Sequence, residues 1–457
     1  MMVPANATAV LPPLLAMPIV AALSLAVLLL ARLAQQRLAL HPELSRKVAH
    51  IGTGLLAMSL PWWFDRAWPV LVVTGLAVVV LTATRIVPAW RSTVAGALDG
   101  VTRSTLGEAY FPIAVAVLFL VAESRALYVA PLAMLTFGDA AAALAGVRYG
   151  RWRFRSPDGE KSAEGSIACA VTSFLAVHTI LLLATPMGRA ESLLAAAVAA
   201  VLVTLLEALA WAGLDNLLVP LGGYLLLSRL MPLSVGTLSG VLAVALLLLT
   251  LALVLRRRRS LDDSALAAAV LLGTACWALG GPRWLVPPLV LFVAYPLLWP
   301  KRRQLARRPH DLVALVAVCA SGMLWLFIAQ QRPHPALFYA FTLAFAMQAM
   351  AIGISWGRDR RAAQGDARHD VRADLPAIVL SMLEAGALFG VPYAWLTLDA
   401  RALPAHLLAI APILFVGGLL YAVLIRADPA RPTDAFPWSR QVVSALAASA
   451  LGLLVAP

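Results

Sequence analysis

Apolar runs of membrane-spanning length alternate with short polar connections along the whole chain. A helix needs about 20 apolar residues to cross a hydrocarbon core of about 30 Å. Runs that meet or approach this length fall near 9–31, 48–63, 68–84, 109–122, 126–147, 165–185, 192–211, 217–231, 235–255, 264–280, 284–299, 311–329, 335–356, 374–397, 404–425 and 441–456. The pattern predicts an all-α, polytopic integral membrane protein with about 16 transmembrane helices, within a range of 13–16. The runs at 109–122 and 217–231 are the shortest and fall furthest below spanning length.

Charge orients this map. With the N-terminus outside, the inner connections carry 29 Lys and Arg and the outer ones 7. Basic residues mark the cytoplasmic side of a membrane protein, and one span added or lost would scramble every later loop. Residues 1–31 carry no charge, so the basic start of a signal peptide is missing and the stretch reads as a retained first helix. The expected setting is a cell membrane of bacterial inner-membrane type.

Composition then removes whole classes. Of 457 residues, 61% are hydrophobic and 13% charged, against about 45–50% and about 25% in soluble domains. A cytosolic enzyme, a secreted disulfide scaffold and a disordered chain are excluded. The net charge of +13 comes from the connections, so no nucleic-acid partner is expected. Cys169, Cys276 and Cys319 are scattered in apolar runs without a CxxC, which supports neither a disulfide framework nor a zinc site.

The run RRRRSLDD at 256–263 divides the chain. Residues 1–255 form a first module of nine spans with polar residues in or beside them. Residues 256–263 form a basic cytoplasmic linker, and 264–457 a second module of seven plainer spans whose role is open. Glu384 is its only acid expected deep in a span.

Charged groups within spans are costly and tend to be functional. In the first module they gather on the inner side. Arg46, Lys47 and His50 lie where the second span meets the cytoplasm; Arg46 and His50 are one turn apart. Arg103 and Glu108 precede or open the fourth span. Asp139 lies inside the fifth, Lys161 and Glu164 lead into the sixth, Glu207 lies inside the seventh, and Asp215 with Asn216 follows. A one-sided polar set describes an active site facing the cytoplasm better than a transport path, whose site belongs near the midplane.

The densest stretch runs from Gly138 and Asp139 through Gly146, Arg148 and Gly150 to Lys161-Ser-Ala-Glu-Gly-Ser166. Asp139 and Gly146 share a helix face, and the small residues between them allow close helix approach. Ser162 is a candidate N-cap. Gly165 and Ser166 keep the next helix start slim, so its free N–H groups could meet a phosphate. A carboxylate for Mg²⁺, a lysine and a helix N-terminus are the parts that phosphoryl transfer needs. Neither a Walker A pattern nor GxGxxG is present. Glu207 is a candidate base for a substrate hydroxyl, by location only.

The set RKVAHIGTG (46–54), TRSTLGEAYFP (102–112), GDAAAALAGVRYG (138–150), KSAEGS (161–166) and EALAWAGLDNLLVP (207–220) resembles the dolichol kinase/phytol kinase family. These are membrane-embedded, CTP-dependent lipid-alcohol kinases, grouped by name with phosphatidate cytidylyltransferases. The resemblance covers about 40–230. It implies that Asp139 and Glu164 hold Mg²⁺ and the triphosphate, and that Lys161 with Arg148 or Arg151 binds phosphates. It implies that Asp215 and Asn216 complete the nucleotide or metal site, giving Asp139, Glu164 and Asp215 as the metal set. Arg46, Lys47 and His50 would anchor phosphate or orient the alcohol. The expected partners are CTP, a lipid alcohol (phytol, geranylgeraniol or a polyprenol) and membrane lipids. Phosphatidate cytidylyl transfer and a lipid-phosphate transporter or flippase are the alternatives.

Overall fold

The computed structural model describes residues 11–38, 41–86, 107–157, 159–256, 261–298, 310–362, 364–365, 370–397, 403–426 and 438–455. These residues are helical apart from short connections and one hairpin. Among the described residues ten helices are long and apolar enough to cross a membrane, and three shorter apolar helices accompany them at 67–83, 107–121 and 282–295. The protein is therefore an all-α membrane protein in character. Arg103 lies outside the described residues, as do Arg257–Arg259 of the basic run.

The chain divides into two compact units, Met1–Ala245 and Leu246–Pro457. The first unit holds α1 (Pro13–Leu38), α2 (Pro42–Trp63), α3 (Ala67–Ile86), α4 (Gly107–Val121), α5 (Arg125–Tyr149), α6 (Ala163–Ala184), α7 (Arg189–Leu209) and α8 (Asp215–Leu230). Helix α9 (Val235–Leu255) contains the division. Between α5 and α6 lies an antiparallel hairpin, β1 (Arg153–Ser156) and β2 (Gly159–Ser162), with Phe154 opposite Lys161. The sequence carries the signal for it in Ser-Pro-Asp-Gly, a turn string between two short stretches.

Helix α5 is the spine of the first unit. Ser124 caps it, its hydroxyl accepting from Leu127 N–H at 3.2 Å. Midway it opens into a π-helical turn over Met134–Asp139. Such turns add one residue to a helix and cluster at functional sites. Helix α2 lies against α5 through a glycine notch: a Cβ on Gly54 would stand 2.2 Å from Thr136 Oγ1. The buried Tyr128 hydroxyl donates to Ala57 O at 2.8 Å and fastens the same contact. On its other side α5 meets α6, where Gly138 faces Ser173 and Cys169, and Gly165 faces the carbonyl of Ala142.

The second unit holds α10 (Asp263–Gly280), α11 (Pro282–Leu298), α12 (Leu312–Gln331), α13 (Pro335–Ala362), α14 (Val371–Thr397), α15 (Leu403–Arg426) and α16 (Trp438–Gly452). Asp262, Asp311 and Asp370 cap α10, α12 and α14 through their carboxylates. Helix α13 is apolar and buried on all sides from Leu337 to Ile354, which makes that stretch this unit's axis. Phe338, Phe341, Phe345, Met347 and Met350 fill the space around it. Gly417 and Gly418 of α15 leave room for Met347 and Met350.

Candidate active site

Two lysine–carboxylate pairs stand at the heart of the first unit. Lys47 on α2 is only 2% exposed and places Nζ 2.5 Å from Asp139 Oδ2 at the end of the π turn. His50, one turn on, places Nε2 3.4 Å from the same oxygen and 3.3 Å from the Leu135 carbonyl. The π turn thus presents both a carboxylate and a carbonyl to one face of α2.

The second pair joins the hairpin to α7. Lys161 Nζ lies 2.7 Å from Glu207 Oε1 and also donates to the Glu207 carbonyl. The hairpin is pinned there by Ser156, whose hydroxyl donates to Ala208 O at 3.1 Å. At its other end the Trp152 carbonyl accepts from Ala163 N–H at 2.8 Å. A strand pairing, rather than a helix, therefore aims Lys161.

Asp215 binds the two pairs into one electrostatic set. Burial pushes its carboxyl above the usual aspartate range and the charge of Asp139 pushes it further; Lys161 and Lys47 act in the opposite sense. Arg46 belongs to the same set. Burial opposes its charge, yet its hydrogen bond to Glu43 and the charges of Glu43, Asp139 and Asp215 hold the guanidinium above its ordinary value. Segments from α2, α5, the hairpin, α7 and the start of α8 therefore meet around one charged centre.

The entry to α8 is strained. Ala212 has φ 53° and Gly213 φ 80°, left-handed values that a non-glycine residue adopts at a cost. Gly213 packs so closely on Gly107 that a Cβ on Gly107 would stand 2.8 Å from its Cα. Asn216 Nδ2 donates to Gly107 O at 3.0 Å. Asn216 thus ties α8 to α4, and this contact holds Asp215 in place.

Other expected residues have different surroundings. The Glu164 carboxylate accepts from Trp152 N–H at 3.2 and 3.3 Å, with Arg151 beside it, at the foot of the hairpin. Among the described residues no three His, Cys, Asp or Glu side chains converge as a metal-holding group. The expected Asp139–Glu164–Asp215 set is thus not assembled, because Glu164 is spent on the hairpin. Asp139 and Asp215 do oppose each other's charge, and a divalent cation is the kind of group that relieves such a pair.

Arg148 is exposed and turns onto Tyr149, with Nε 3.1 Å from its hydroxyl. Ser162 caps α6, its hydroxyl accepting from Gly165 N–H at 3.1 Å. A Cβ on Gly146 would stand 3.1 Å from Ser162 Oγ, and one on Gly150 2.9 Å from the same oxygen. Gly138, Gly146, Gly150 and Gly165 thus serve the close approach of α5, α6 and the hairpin. Ser166 is half-buried in the first turns of α6.

Paired lysines and carboxylates inside an apolar bundle mark a functional centre that handles charged groups, not a passive set of spans. The phytol kinase of Synechocystis sp. is 30% identical to this chain over 195 residues, which is 42% of this chain and 81% of that protein. The chain belongs to the phytol kinase family. No family model matches the sequence, and no solved structure matches the fold.

Proposed function

We propose that the chain is a CTP-dependent kinase that phosphorylates an isoprenoid lipid alcohol of the phytol, geranylgeraniol or polyprenol type. The reaction would take place at the cytoplasmic face of a cell membrane. The observation that carries this reading is the meeting of Lys47–Asp139 and Lys161–Glu207 around Asp215, in a chain 30% identical to a phytol kinase.

Each lysine is held by a carboxylate that a nucleotide could replace. Lysine is a compact charge on a flexible stem, suited to changing partners. On nucleotide binding, Lys161 and Lys47 would turn to phosphate oxygens. Asp139 and Asp215 would then be free to hold Mg²⁺, which neutralises charge on the transferring phosphoryl group. Release of Lys161 would also free the Glu207 carboxylate, which can then accept the proton of the incoming hydroxyl. Arg46 adds positive charge at the rim, and His50 orients Asp139. The alcohol would enter sideways between helices with its tail remaining in lipid.

The test is phosphoryl transfer from γ-labelled CTP to phytol, geranylgeraniol and a short polyprenol, in membranes carrying the protein. Labelled lipid phosphate with release of CDP supports the reading. Release of pyrophosphate with phosphatidate as acceptor would replace it with cytidylyl transfer.

A further inference from the structure

Where α5 leaves its apolar run, the chain reads Arg148-Tyr-Gly-Arg-Trp-Arg-Phe-Arg155, with four arginines, three aromatic residues and no acid. Tyr149 is 62% and Trp152 78% exposed, and Arg148, Arg151, Arg153 and Arg155 are exposed beside them. The Arg148 guanidinium lies 5.6 Å from the centre of the Tyr149 ring. A bare tryptophan forgoes the burial that its large apolar ring would gain. The bias of basic residues toward one side of a membrane accounts for the charge here. It does not account for large aromatic residues left open among the arginines.

The hairpin sorts these residues by face. Phe154 pairs with Lys161, and Lys161 and Ser156 both reach the end of α7. Side chains alternate along a strand, so Arg153 and Arg155 belong to the other face, Arg155 opposite Glu160. The arginines are thus turned away from the charged centre that Lys161 joins. Asp158, Glu160 and Glu164 offset part of their charge, and a positive surplus remains with Lys161 committed to Glu207.

Depth gives this surface its surroundings. Helix α5 is long and apolar enough to cross a membrane. Tyr149 stands about 36 Å along it from Arg125 at 1.5 Å per residue, and a hydrocarbon core is about 30 Å thick. Tyr149 and Trp152 therefore fall at headgroup level, where tyrosine and tryptophan rings settle. We propose that the end of α5 and the arginine face of the hairpin bind anionic phospholipid headgroups, with Trp152 and Tyr149 seated in the interface and Arg153 and Arg155 on the lipid phosphates. Clusters of about four to eight basic residues just beyond a spanning helix attract such lipids, and arginine matches phosphate with a two-pronged set of donors. The surface and its ligand stand apart from the kinase reading of the same unit.

The experiment uses the full chain in phosphatidylcholine nanodiscs that contain small fractions of brominated phosphatidylglycerol or brominated phosphatidylcholine. Bromine quenches nearby tryptophan, and the share of Trp152 is the difference between wild type and Trp152→Phe. Half-quenching of that share should need about tenfold less of the brominated anionic lipid than of the neutral one. Arg153→Gln/Arg155→Gln should remove most of this preference. Arg153→Lys/Arg155→Lys should keep most of it, because the charge remains. Arg189→Gln, at the far end of α7, should leave it intact. In the wild type, about 1 M salt should shrink the preference severalfold by screening, a readout that needs no substitution at the hairpin. Absence of Trp152 quenching by either lipid, equal quenching by both, a salt-insensitive preference, or an unchanged preference in the glutamine variant overturns the proposal. Loss of the preference on adding CTP also overturns it and gives the arginines to the nucleotide.

Discussion

The two units bury charge in opposite ways. In the first, lysines meet carboxylates one to one across long sequence separations, Lys47 with Asp139 and Lys161 with Glu207. A third acid, Asp215, stands in the field of both pairs. In the second, two arginines fork onto one aspartate only 16 and 13 residues away. Arginine holds a planar, two-pronged geometry, whereas lysine is a movable point charge. The first arrangement can be taken apart by a ligand. The second is a fixed clamp between α13 and α14.

The largest effect that could break this comparison is on stability. Lys47→Met leaves Asp139 without its cation and should cost about 3–5 kcal/mol, read as a fall in Tm of the detergent-solubilised protein. The double variant Lys47→Met/Asp139→Asn should recover most of that loss, because both charges are then gone. No recovery would mean that Lys47 acts through packing. Next in size is catalysis. Lys161→Ala should reduce lipid-alcohol phosphorylation on the order of 10²–10³-fold, with a smaller fall in Tm than Lys47→Met, since Lys161 is a quarter exposed and Lys47 is not.

Gly54→Ala sharpens the role of helix approach. The new methyl would collide with Thr136 at the π turn, and overpacking of this kind costs about 1–3 kcal/mol. Activity should fall with it, because the notch sets the distance between Lys47 and Asp139. A smaller, pH-dependent effect belongs to Asp215. Its carboxyl is raised, so the fold favours the protonated form. That contribution is complete below the ordinary aspartate range and is lost as pH rises through the raised value. Asp215→Asn should therefore raise Tm at neutral pH and leave it unchanged in acid. The smallest effect is expected for Glu164→Gln. The amide oxygen can keep one hydrogen bond from Trp152 N–H, so activity should change less than about threefold and stability less than about 1 kcal/mol.

Much of the helical framework was legible because apolar runs in a membrane protein are long and nearly uninterrupted. Each of the sixteen runs read from the sequence falls on a helix, although among the described residues ten helices reach the length and apolarity of a span. The hairpin was not read, although Pro157 and Gly159 announced a turn, because its strands are only four residues long. The π turn leaves no mark in a single sequence, yet it decides where Asp139 points. The site residues were named singly, from charge within or beside apolar runs. Their pairings lay beyond sequence reading, because Lys47 and Asp139 are 92 residues apart. Glu164 enters the metal set only through the family resemblance; in the structure its carboxylate accepts from Trp152 N–H. In the second unit the apolar pattern singles out Glu384 and passes over Asp374. Its signal was an acid in a first helical turn, preceded by a run of arginines.

The central claim is that the charged centre of the first unit performs phosphoryl transfer. The most direct measurement is incorporation of label from γ-labelled CTP into phytol and geranylgeraniol by membranes bearing wild-type protein, Asp139→Asn or Lys161→Ala at matched abundance. The account predicts labelled lipid phosphate with the wild type and a near-complete loss in both variants. Full incorporation in both variants would contradict it.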